Sequence, residues 1–116
     1  MLKIPPYTEV YEIDGPYFFG IANKFDDISR HTLKEEQKVR IIRMRKVSFI
    51  DSTGIHNLEQ LHLRLQRSGI QLVLSGVNEQ VYHALDKAGL VSAIGKENIR
   101  NHINGALSRA EELVKQ

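Results

Sequence analysis

The chain has 116 residues, 41% of them hydrophobic, which suits one domain with its own core and excludes both a two-domain protein and a disordered one. It has no cysteine, so disulfide frameworks, thiolate metal sites and cysteine nucleophiles are excluded. The formal net charge is +2, and the one local basic cluster is Arg40, Arg43, Arg45 and Lys46. No aromatic interleaving or nucleic-acid motif accompanies it. The cluster therefore reads as solvated charge on a strand and loop rather than as a nucleic-acid or anionic-lipid patch. No apolar run approaches the roughly 20 residues that span a bilayer. Met1 to Pro6 lacks a signal-peptide pattern, so the segment is expected to be soluble.

Thr8 to Ile13 reads as a strand, with Val10, Tyr11 and Ile13 among charges. Asp14-Gly15 is a turn signal, although Pro16 lacks the N–H that would close a tight turn. Tyr17 to Phe19 is a second short strand, and together these predict an N-terminal hairpin. Ile21, Phe25, Ile28, Thr32 and Leu33 then fall on one helical face. Lys38 to Met44 is a strand whose Val39, Ile41, Ile42 and Met44 point to both sides, as in a sheet covered on both faces.

Val47 to Asp51 is a loop leading into a helix marked by Ile55, Leu58, Leu61 and Leu65, which Gly69 ends. Ile70 to Leu74 is another buried strand. Asn78 can cap a helix carrying Val81, Ala84 and Leu85, and Gly89 ends it. Leu90 to Lys96 reads as a short irregular piece. Asn98 can cap a last helix with Ile99, Ile103, Ala106, Leu107, Ala110 and Leu113 on one face. The order β-β-α-β-α-β-α, then α, predicts an α/β fold: a mixed, mostly parallel sheet with an N-terminal hairpin and about four helices packed on it.

The stretch that could carry chemistry is Phe49-Ile50-Asp51-Ser52-Thr53-Gly54-Ile55-His56, with the candidate site at Asp51 to His56. The first amides of a helix lack internal partners and lie at the positive end of its dipole. Asp51, Ser52 or Thr53 can cap them, and a phosphate there would be stabilised by the same amides. Gly54 permits close backbone approach. From spacing alone the plain N-cap is favoured over an anion or partner site. The five histidines, His31, His56, His62, His83 and His102, show no metal-type spacing and read as surface or boundary residues. No nucleophile elbow, Walker loop or dinucleotide fingerprint occurs, so no catalytic centre, metal or cofactor is expected. A receiver domain is a weak rival, because Asp26-Asp27 lies within a helical pattern instead of at the end of a strand.

Four stretches in order carry a family resemblance. Glu9 to Gly20, with its Gly-Pro and Phe-Phe-Gly, resembles the opening of STAS domains of SulP anion transporters. Val47-Ser48-Phe49-Ile50-Asp51-Ser52-Thr53-Gly54-Ile55-His56-Asn57-Leu58 resembles their central signature. Gly69 to Val77 and Ile94 to Ile99 resemble the following strand and the tail. The resemblance implies one STAS domain over residues 1–116, with its core at about 8–110. It implies a non-catalytic regulatory and docking module of a sulfate or similar anion transporter, at the cytoplasmic face of the inner membrane. Its partners would be the transmembrane domain of that transporter and a soluble regulatory protein or kinase. STAS domains also occur as free-standing anti-sigma factor antagonists, phosphorylated on a Ser or Thr before the signature glycine. That position is Thr53 here, with Ser52 before it, and the Phe-Phe-Gly opening favours the transporter branch.

Overall fold

The computed structural model describes residues 4–14 and 37–115. The second strand of the expected hairpin, Tyr17 to Phe19, and the helix marked by Ile21 to Leu33 lie outside the described residues. The others form strands β1 (Thr8–Asp14), β2 (Val39–Lys46) and β3 (Gln71–Ser75) and helices α1 (Ser52–Arg67), α2 (Glu79–Lys87), α3 (Leu90–Ile94) and α4 (Ile103–Val114).

The strands pair in the order β1-β2-β3, both pairs parallel. Val10 lies opposite Ile41, and Ile41 opposite Val73; the register slips between Glu12 and Asp14. Successive side chains on a strand point to opposite faces. Ile42 and Met44 therefore join Ile13, Leu72 and Leu74 under α1, α2 and α3, while Val39, Ile41 and Val73 meet Ile103, Ala106, Leu107 and Ala110 of α4. The strand predicted to be apolar on both sides is indeed covered on both sides. Its Val39, Ile41, Ile42 and Met44 have no exposed area.

The helix termini follow their local chemistry. After α1, Gly69 adopts φ 75°, and after α2, Gly89 adopts φ 82°, the left-handed conformation that costs glycine least. The Asn78 side chain accepts the Val81 N–H at 2.7 Å, as a cap should.

Three expectations fail after Gly89. Leu90 to Lys96 is not irregular: Leu90–Ile94 form α3, and Lys96–Asn98 a 3₁₀ turn. The reason is burial, since Leu90, Val91 and Ile94 all insert into the larger core. Asn98 does not cap the last helix, which starts at Ile103 behind a His102 ring whose Nδ1 accepts the Asn104 N–H. Asn98 is buried instead. Its Nδ2 donates to the Ile94 carbonyl at 2.7 Å, and its Oδ1 accepts from Arg109 Nε at 2.8 Å. Ile99 is no part of that helix either; it makes a parallel bridge with Leu74 along the free side of β3.

Leu74 is fully buried at the centre of this arrangement. Leu74→Ala should lower unfolding free energy by about 3 kcal/mol, the sum of lost transfer energy and a residual cavity. Urea denaturation would check it; a loss below about 1 kcal/mol would mean that the site collapses to fill the space.

Candidate functional site at the start of the first long helix

The carboxyl end of β2 leads through Val47–Asp51 into α1, and three constraints shape this loop. Val47 is buried and its N–H donates to the Met44 carbonyl at 3.0 Å, turning the chain off the strand. Ile50 is half-buried against the larger core. Asp51 then has extended backbone, φ −96° and ψ −179°, and its Oδ1 accepts the Gly54 N–H at 2.8 Å. Its carbonyl accepts the Ile55 N–H at 2.9 Å and starts the helix.

Of the three capping candidates, Asp51 is the cap. Ser52 and Thr53 are the first two helical residues, and both are exposed. Gly54 is buried; a Cβ there would lie 2.8 Å from Ile50 Cγ1 and 3.4 Å from Asp51 Oδ1. Ile55 packs half-buried against the core and His56 is exposed. The six residues therefore divide by role. Gly54 and Ile55 anchor the turn, while Asp51, Ser52, Thr53 and His56 sit on the outside.

One contributor, Asn78, was not expected in this region, and for Phe49 the sequence did not show which way the side chain faces. Asn78, recognised only as a helix cap, also donates through Nδ2 to the carbonyls of Val47 at 3.1 Å and Ser48 at 3.2 Å. One side chain thus fastens the loop before α1 to the start of α2. Phe49 is 46% exposed in that loop. Its neighbours Val47 and Ile50 turn inward, and a loop this short leaves the residue between them facing out. That spacing was the available signal.

The basic cluster is largely compensated by β1. Arg40 is not a solvated charge: it is 2% exposed, with Nη2 3.0 Å and Nε 3.1 Å from Glu9 Oε2. Its guanidinium lies 5.5 Å from the Tyr11 ring centre, and the Tyr11 hydroxyl donates to Glu9 Oε1 at 3.3 Å. Farther along, Arg45 and Lys46 share the Glu12 carboxylate. The hydrogen bond from Arg45 is the largest influence and holds the Glu12 carboxyl below its usual 4.5; burial opposes it, and the charges of Arg45, Lys46 and Arg43 add to the lowering. His62 also departs from expectation, being buried on α1 with no hydrogen-bond partner at Nδ1 among the described residues.

The model of the family described as "STAS domain" matches residues 1–106. The chain is 29% identical over 97 residues to the putative sulfate transporter YvdB of Bacillus subtilis (strain 168), covering 84% of this chain and 18% of that one. It is 33% identical over 100 residues to the probable sulfate transporter 4.2 of Arabidopsis thaliana, covering 76% and 15%. It thus spans less than a fifth of these curated relatives. Among solved structures it is similar to a sulfate transporter family protein from Wolinella succinogenes, at 39% identity and TM-score 0.88, covering 99% of this chain and 93% of that one. It is also similar to the SulP transporter STAS domain from Vibrio cholerae, at 34% identity and TM-score 0.86, covering 97% and 88%. A stressosome chain shares the fold at 17% identity and TM-score 0.74.

Two outcomes follow from the local geometry. Asp51→Ala should cost about 1 kcal/mol, the usual worth of a side-chain N-cap, and Thr53→Ala should cost less, because its hydroxyl is not the cap; thermal melts of both would check this. Gly54→Val should cost about 1–3 kcal/mol by crowding Ile50. The pH dependence has a definite sign. The Glu12 carboxyl is depressed in the folded state, so its contribution is complete above its unfolded value and is lost as pH falls below about 4.5 through the folded value. The stability gap between the parent and Glu12→Gln should therefore close on acidification, as melts across that range would reveal.

Proposed function

This chain belongs to the STAS domain family, and we propose that it is the regulatory and protein-docking domain of a SulP-type transporter of sulfate or a similar anion. In this reading it catalyses no reaction and works at the cytoplasmic face of the inner membrane. No helix among the described residues is long and apolar enough to cross a membrane. The relatives named as sulfate transporters are far longer than this chain, which leaves room in them for membrane-spanning parts. The partners proposed are the transmembrane domain of the same transporter and a soluble regulatory protein or kinase.

The observation that carries the reading is the exposed first turn of α1. Asp51 does the capping, so the hydroxyls of Ser52 and Thr53 face solvent beside His56 and the outward Phe49. A docking surface needs exposed groups on a rigid base, and here Asn78 and buried Gly54 supply the base. The same two hydroxyls are the proposed phosphoacceptors. A phosphate on Thr53 would add negative charge at the positive end of a helix. The alternative, a free-standing anti-sigma factor antagonist switched by phosphorylation, draws on these exposed hydroxyls too.

Thr53→Glu tests the surface. A carboxylate near a helix N-terminus gains about 0.3–1 kcal/mol, so the fold should melt unchanged or slightly higher. The same charge in a docking interface can cost several kcal/mol. Thr53→Glu should therefore weaken pull-down of the transporter's membrane part and alter sulfate uptake by the full-length protein, whereas Thr53→Ala should bind like the parent. If both variants bind and transport like the parent, the first turn of α1 is a plain cap and the docking reading fails. Loss of binding to a soluble partner alone would favour the antagonist.

A further inference from the structure

The carboxyl end of β3 creates a second feature that shares no residue with the first turn of α1. Beyond Ser75 the chain turns at Gly76, with φ 68°, and passes Val77 into α2. Alongside it runs the segment that follows the 3₁₀ turn. Arg100 N–H donates to the Leu74 carbonyl at 2.8 Å, and Val77 N–H donates to the Arg100 carbonyl at 3.4 Å. Backbone hydrogen bonds thus fix both segments, and between them and α2 lies a cleft of about 460 Å³.

The cleft has two kinds of wall. Val77 and Ile99 give it apolar walls, and the half-buried Tyr82 ring adds an aromatic surface. Lys96 and Arg100 give it positive charge against the single carboxylate of Glu79. Arg100 donates its Nε–H to the Glu97 carbonyl at 2.7 Å, a bond that orients the guanidinium without neutralising it. Neither cation forms an ion pair among the described residues. Small-molecule sites are concave and mostly apolar, with a few placed polar groups, and typically hold about 300–1,000 Å³. In open α/β sheets they lie outside the carboxyl ends of the strands, as this cleft does.

We propose that this cleft binds a small organic anion. A carboxylate, sulfonate or phosphate group is held by Lys96 and Arg100, and the apolar planar body attached to it lies against Tyr82, Val77 and Ile99. A bare inorganic anion would use the cations and leave the apolar surface uncovered, so it should bind far more weakly. The proposal does not depend on the docking reading of α1.

The test is a titration of the ¹⁵N-labelled chain with phenyl phosphate, inorganic phosphate and benzylamine, followed by amide chemical shifts. Phenyl phosphate should give saturable shifts at Val77, Tyr82, Lys96 and Asn101. Inorganic phosphate should bind at least about tenfold more weakly, and benzylamine, a cation of similar shape, should not saturate the site. Lys96 is exposed, so Lys96→Glu should leave the remaining spectrum folded while weakening phenyl phosphate by at least about tenfold. Thr53→Ala should bind phenyl phosphate like the parent. Four results would overturn the proposal: no saturable shifts, shifts centred elsewhere, equal binding of inorganic phosphate or benzylamine, or indifference to Lys96→Glu.

Discussion

The structure depends on one constraint: β2 is buried on both faces. A strand with Ile41 facing one way and Ile42 the other cannot leave either face to water. Helices must cover both, and α1 with α2 and α3 does so on one face and α4 on the other. Parallel strands also send all their carboxyl ends to one edge. There the loop before α1, the turn at Gly76 and the Ile99–Arg100 segment collect, because each must leave the sheet at that edge. The exposed first turn and the cleft are both products of this geometry.

That edge is held by polar side chains bonded to backbone rather than by apolar packing alone. Asn78 joins the loop before α1 to α2, and Asn98 joins α3 to Arg109 of α4. A buried amide left unbonded costs more than the net worth of its bonds, so these links are specific as well as stabilising. The approach at Gly76 is equally exact: a Cβ there would lie 2.8 Å from the Arg45 backbone nitrogen. The surface thus presents exposed Phe49, Ser52, Thr53 and His56 on a base that has little freedom to rearrange.

Much of the architecture was legible because its signals are local. β-Forming residues among charges marked β1, and short runs apolar on both faces marked β2 and β3; Gly69 and Gly89 marked helix ends; Asn78 marked a start. Of the four family-like stretches, the second located Asp51 to His56 as the region of interest, and the chain's membership of the STAS family agrees with them. The errors share one cause. Leu90 to Ile94 form only a short helix, too brief for periodicity to reveal, and the larger core is what orders it. Asn98 looked like a cap because asparagine caps helices, but its burial turns its amide to Ile94 and Arg109.

By itself the sequence determined β1, β2, β3, α1, α2 and the body of α4, that β2 is covered twice, and where the first turn of α1 lies. Those properties reside in side-chain type and spacing along a few residues. Only the tertiary structure decided which of Asp51, Ser52 and Thr53 caps, that Arg40 is buried against Glu9, and that Lys96 and Arg100 share a cleft with Tyr82. Each of these depends on residues brought together from separate elements, or on a choice among adjacent groups that one hydrogen bond makes. Local pattern carries no information about that choice, because the competing arrangements differ only in what packs against them.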